Sequence, residues 1–182
     1  MSVQITYTVH GATADNEQHI MGGWRDSKLT ELGREQAKQL GDKLKEKDAQ
    51  FDAIISSDLP RAAETAEIAF GRGTFTTDHR LREADYGDAA GQPMKDYKHE
   101  LGNYVDQPYP NGESYRDVEE RMRALVADLK KNHDGQHVAL VAHQAPQFAL
   151  EVILNGKTWQ QAIDEDWRPL GKWQPGWSYT IP

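Results

Sequence analysis

"HVALVAH", His137–His143, is an almost unbroken apolar run closed by a histidine. A strand with one wet face alternates polar and apolar residues, whereas a strand buried on both faces of a parallel sheet does not. The residues that follow, "APQFALEVILNG" (145–156), have the composition of a helix stopped by Gly156. A buried strand feeding a helix is half of a βαβ unit, so the rest of the chain is read for its partners.

Working toward the N-terminus, Val3, Ile5, Tyr7 and Val9 fall on one side of a period-two pattern and Gln4, Thr6 and Thr8 on the other, a strand that ends at His10. A polar, glycine-containing loop spans 12–27. Leu29, Leu32, Ala37, Leu40 and Leu44 then recur at helical spacing behind Thr30, a good N-cap, and predict a helix to about Lys47. "FDAIISSD" (51–58) reads as a second strand, and "LPRAAETAEIAF" (59–70) as a helix with Pro60 in its first turn and Arg61 at its start. A turn and short strand follow in 71–81, and then "READYGDAAGQP" (82–93), an irregular loop rich in carboxylates. The stretch 88–112 is a long irregular excursion, the kind of segment that serves as a lid or pocket wall. Tyr115, Val118, Met122, Leu125, Val126 and Leu129 make the last helical stripe before the opening strand. This order predicts an α/β fold, a three-layer sandwich with a mostly parallel central sheet, as one domain over residues 1–182.

A net charge of −8 speaks against a nucleic-acid surface, because phosphate backbones are bound by clustered Lys and Arg. No stretch is long and apolar enough to cross a bilayer, and the opening residues lack the pattern of a secretory signal, so a cytoplasmic protein is expected. The absence of cysteine removes thiolate chemistry and Cys-ligated zinc. The C-terminal tryptophans Trp159, Trp167, Trp173 and Trp177 are expected to pack against the body of the domain rather than to form a pocket wall or an oligomer contact.

His10 ends the first strand, His143 ends the apolar strand, and Arg61 opens the helix after the second. In open α/β sheets ligands bind where strands end and helix N-termini point their free N–H groups. Two imidazoles and a guanidinium gathered there favour a small anion with several oxygens, a phosphoryl group above all. A neutral imidazole can attack phosphorus and a carboxylic acid can protonate the departing oxygen. Glu83, Asp85 and Asp88 are the candidates for that acid. A lone strand-end histidine is more often structural, but the joint pattern argues otherwise.

These residues resemble the histidine phosphatase superfamily, the phosphoglycerate mutase-like proteins, over nearly the whole chain. The family opens with Arg-His-Gly, then a Thr and an Asn; here His10, Gly11, Thr13 and Asn16 match. "LTELGREQA" (29–37), "SSDLPRAAETA" (56–66), "LREADYGDAAG" (81–91), "PNGESYRDVEERM" (110–122) and "VAHQAP" (141–146) follow in the family's order. The resemblance implies a phosphohistidine on His10, phosphoryl binding by Arg61 and His143, and Glu83 as acid and then base. It also implies Asn16, with Gly11 and Gln144, as further phosphate contacts, a small phosphorylated metabolite as substrate, and neither metal nor organic cofactor.

Two departures stand out. Val9 occupies the place of the family's arginine and Gln144 that of a glycine. A missing guanidinium weakens the site's electrostatics unless Arg25, Lys28, Arg80, Arg82 or Lys95 substitutes for it. A phosphatase is the expected activity. A relative that binds a phosphorylated ligand or a protein partner without turnover is the alternative; a mutase is a further one and less favoured, since the family's cofactor-dependent mutases tend to be longer, with extra segments that shield the phosphoenzyme, and 182 residues leave little room for them. Neither the particular substrate nor an oligomeric state is written in these motifs.

Overall fold

The computed structural model describes residues 1–97, 100–166 and 176–182. Its elements are β1 (Val3–Val9), α1 (Ala14–Glu17), α2 (Glu31–Glu46), β2 (Ala53–Ser56), α3 (Pro60–Phe70), β3 (Thr76–Thr77), α4 (Tyr115–Asn132), β4 (His137–Ala142), α5 (Gln144–Asn155), α6 (Trp159–Asp164) and β5 (Trp177–Ile181). The sheet runs β3-β2-β4-β1-β5, all parallel except β5, which lies antiparallel to β1. The predicted fold class is the observed one.

β4 is the middle strand, which accounts for its composition. Val138, Leu140 and Ala142 join one core with α4 and α5, while Ala139 and Val141 point to the other face, where α3 packs on the strand. α2 and α3 pack on each other, as do α4 and α5, giving helices on both faces. Thr30 caps α2 as predicted, its hydroxyl accepting the N–H of Gly33 at 3.2 Å. Leu32 is a correction: it is 55% exposed, because α2 packs through Gly33, Ala37, Leu40 and Gly41 instead. The two glycines permit backbone contact. A Cβ on Gly33 would stand 2.0 Å from the Ala12 carbonyl oxygen, and one on Gly11 would stand 2.2 Å from that of Gly33. The start of α2 is thereby pressed against the loop that carries His10.

The excursion over 88–112 contains short 3₁₀ turns at Met94–Asp96 and Leu101–Tyr104 and is pinned to the loop after β1. Met21 donates to Gln92 O at 2.9 Å, Gly91 to Met21 O at 2.8 Å, and Met94 to His19 O at 2.7 Å. Trp159 is buried as expected, stacked on Tyr115, and Trp177 lies edge-on to Tyr7 in β5. Trp167 and Trp173 lie outside the described residues. Among the described residues, no helix is long and apolar enough to cross a membrane.

Candidate active site

β1, β2 and β4 are neighbours, and the residues just beyond their carboxyl ends are His10, Ser57 and His143. The register holds them level: the N–H of His10 bonds the Ala142 carbonyl at 3.1 Å and that of Ser57 the Val141 carbonyl at 2.8 Å. α3 and α5 start at once, so their N-termini open on the same edge.

His10 has its ring fixed at both nitrogens. Nδ1 lies 2.7 Å from the Gly11 carbonyl, which can only accept, so Nδ1 carries the proton. Nε2 receives the Nε–H of Arg61 at 3.2 Å. The imidazole is therefore neutral, with the Nε2 lone pair turned to Arg61, and this is the tautomer a nucleophile needs. Arg61 is 3% exposed. Its other nitrogens donate to the carbonyls of Arg25 at 3.0 Å and Gly23 at 2.7 Å. These partners are an imidazole and two carbonyls; none is a carboxylate. Burial lowers the guanidinium's pKa from its ordinary value, and the charges of Glu83, Asp15 and Asp26 oppose that from farther away. A buried cation without a paired anion is costly to the fold and attractive to an anionic ligand.

His143 is fully buried, its ring 5.1 Å from that of His10. Nε2 meets Ser57 Oγ at 2.8 Å, and Tyr7 Oη bridges the residue's own N–H and carbonyl at 3.1 and 2.6 Å. With the serine hydroxyl donating to Nε2, the ring proton sits on Nδ1, which has no hydrogen-bond partner among the described residues. Burial first, then the Arg61 charge, hold the imidazole pKa well below its usual value. Below about pH 6.5 the unfolded chain therefore binds a proton that the native state refuses, so this residue's effect is that stability falls as pH drops. Between about pH 7 and pH 5, wild-type protein is expected to lose more stability in urea unfolding than His143→Gln. Parallel losses would show that His143 is not the buried neutral group.

Of the three candidate acids, Glu83 is the one at the mouth of α5. Its Oε1 accepts the N–H groups of Ala84 and Ala145 at 3.0 and 2.9 Å, and Oε2 that of Gln144 at 3.2 Å. Its carbonyl takes the indole N–H of Trp24 at 2.7 Å and Nη2 of Arg121 at 2.9 Å. Asp85 instead accepts the Gly87 N–H in a tight turn, and Asp88 is bonded to Asn111.

The remaining predicted contacts are engaged elsewhere. Gly11 donates its N–H to Thr65 Oγ1 at 3.1 Å, and the Gln144 amide reaches Asp166 at 2.7 Å. Asn16 completes the capping box that Thr13 opens on α1, its Oδ1 accepting from the Thr13 N–H and hydroxyl, which leaves the NH2 end for other work. Val9 is buried in the core beside Ala142. Among the suggested substitute cations, Arg80 pairs with Asp78 and Asp128, Arg82 with Asp58 while lying over Trp24, and Arg25 with Asp15. Lys28 and Lys95 are exposed. Ser57, Tyr7, Thr65, Trp24 and Arg121 were not singled out from sequence; only Ser57, at a strand end, carried a positional signal.

Residues 8–175 match the histidine phosphatase superfamily (branch 1). A 2,3-bisphosphoglycerate-dependent phosphoglycerate mutase of Methylorubrum extorquens is 34% identical over 164 residues, 82% of this chain and 77% of its own. A mycobacterial glucosyl-3-phosphoglycerate phosphatase, solved with VO3, is 30% identical and superposes with a TM-score of 0.77 over 88% of this chain and 86% of that one. A phosphoserine phosphatase of Entamoeba histolytica, in complex with 3-phosphoglyceric acid, superposes with a TM-score of 0.79 over 90% and 85% of the two chains; at 23% identity it bears on the fold alone. A match that takes in His10, Arg61, Glu83 and His143 together, on a sheet of the same architecture, makes this chain a member of the histidine phosphatase superfamily.

Proposed function

We propose that this protein hydrolyses a small phosphomonoester through a phosphohistidine on His10, without a metal ion. The observation that carries the reading is Arg61, a buried cation whose Nε touches the nucleophilic nitrogen of His10 and which has no carboxylate partner among the described residues. His10 Nε2 attacks phosphorus, the bond to the leaving oxygen breaks, and Glu83 gives that oxygen its proton. Glu83 then takes a proton from water, the hydroxide attacks phosphorus, and the P–N bond breaks to release phosphate and restore His10. Arg61 and the Nδ1–H of His143 hold the phosphoryl oxygens as charge develops on them. Asn16 adds its amide from the start of α1.

The relatives include mutases and phosphatases, and the charge pattern favours hydrolysis. Arg25, Arg80, Arg82 and Arg121 each already hold a carboxylate, leaving little among the described residues to bind a substrate's second anionic group. The apolar Val9 favours a second reading, a phosphate binder without turnover. Assays in EDTA with p-nitrophenyl phosphate, and with 3-phosphoglycerate plus 2,3-bisphosphoglycerate, separate these. Free phosphate from p-nitrophenyl phosphate is expected. Isomerised phosphoglycerate without phosphate release would make the chain a mutase, and phosphate-induced stabilisation with no reaction would make it a binder.

A further inference from the structure

Arg121 lies on α4, far in sequence from both histidines, yet its guanidinium is committed to the segment that bears Glu83. Nη1 donates to the carbonyl of Arg80 at 2.6 Å and Nη2 to that of Glu83 at 2.9 Å. Nε and Nη2 also grip Glu113, each at 3.0 Å. Glu113 extends the hold: its Oε2 accepts the N–H of Asp85 at 2.9 Å, and its own N–H donates to the Asp85 carbonyl at 2.8 Å. The two segments meet backbone to backbone, since a Cβ on Gly112 would stand 2.3 Å from that same carbonyl oxygen. The main chain is thus fixed on both sides of Glu83, while the Glu83 carboxyl reaches across to the first turn of α5.

Neither Arg121 nor Glu113 contacts the histidines or the place of the phosphoryl group in the hydrogen bonds of the site. We infer that Arg121, braced by Glu113, is a positioning residue for the acid–base chemistry of Glu83, an inference that rests on the function proposed above. The planar guanidinium is what permits this. One rigid fork reaches two carbonyls and a carboxylate at once, which a lysine ammonium on a flexible stem does not reproduce. A catalytic group displaced by about 1 Å can cost about a hundredfold in rate, so a brace on the main chain of Glu83 is worth a large factor.

The role predicts a dependence on the leaving group. p-Nitrophenolate departs without help, whereas an alkoxide must receive a proton as it leaves, so only alkyl phosphates need a well-placed acid. The experiment measures kcat/KM of wild type, Arg121→Lys and Glu113→Gln on p-nitrophenyl phosphate and on β-glycerophosphate, and repeats Arg121→Lys in a Glu83→Gln background. Both single variants are expected to lose at least about tenfold more on the alkyl phosphate than on the aryl phosphate. Adding Arg121→Lys to Glu83→Gln is expected to cost nothing further on the alkyl phosphate, because the group it positions is already gone. Equal losses on the two substrates, or losses that multiply in the Glu83→Gln background, would overturn the inference and leave Arg121 a structural residue. Glu113→Gln conserves shape and carries the test if Arg121→Lys does not fold. A wild type that releases phosphate from neither substrate overturns the proposed function and this inference with it; an active wild type with equal losses overturns this inference alone.

Discussion

His10→Ala is expected to lower phosphate release from p-nitrophenyl phosphate by about 1000-fold or more, the scale on which removal of a covalent nucleophile is usually felt. The geometry makes the loss specific to chemistry. The ring hangs between the Gly11 carbonyl and Arg61 Nε, and its backbone N–H bond to Ala142, which ties β1 to β4, survives the substitution. The ring is only partly buried, so alanine opens little of the core. Under the proposed function Arg61 and His143 would remain to hold the anion, so stabilisation by inorganic phosphate is expected to persist in the variant. Lost turnover with retained phosphate binding is the signature of a nucleophile. A variant that keeps a tenth or more of wild-type turnover would remove His10 from that role, and with it the phosphohistidine.

Much of the scaffold could be read from side-chain periodicity because the decisive strands are extreme cases. β4 is buried on both faces after its first residue and is apolar from Val138 to Ala142, while β1 alternates in its first half, from buried Val3 to exposed Gln4 and buried Ile5. Pattern reading missed α2's glycine-lined face, where close approach rather than apolar bulk makes the contact and Leu32 turns outward. It also missed β5, although its last residues alternate: Tyr179 and Ile181 are buried, Ser178 and Thr180 exposed. The strand ends announced His10 and His143, and a helix start announced Arg61. The groups that orient them did not stand out in the same way. Tyr7 looks like any core aromatic until its hydroxyl is found bridging the backbone of His143. Trp24 and Arg121 lie in a polar loop and on a charged helix, and they converge on one carbonyl, that of Glu83, which no local pattern encodes. Asp85 and Asp88 were indistinguishable from Glu83 by composition; their own loop turns them aside.

Arg61→Lys is the second severe change, and it separates charge from shape. The native guanidinium serves three partners in different directions: His10 Nε2, the Gly23 carbonyl and the Arg25 carbonyl. The last two belong to the loop whose Trp24 reaches the Glu83 carbonyl, so one side chain links His10 to the segment that carries Glu83. Lysine conserves the positive charge but offers a single point of donation, and it cannot present two parallel N–H groups to a phosphoryl group. Each charge-assisted hydrogen bond lost costs about 1.5–3 kcal/mol, and two of them amount to about a hundredfold or more in kcat/KM. The thermal stabilisation that inorganic phosphate gives the wild type is expected to fall in the same variant, since binding and catalysis draw on the same fork. Were Arg61→Lys to retain wild-type turnover, a buried charge alone would be enough to run the site, and the apolar residue at position 9 would need no compensation. The expected loss would imply the opposite: with Val9 folded into the core, the directional hydrogen bonds of Arg61 would be what holds a phosphoryl group in line with His10 Nε2 under the proposed function.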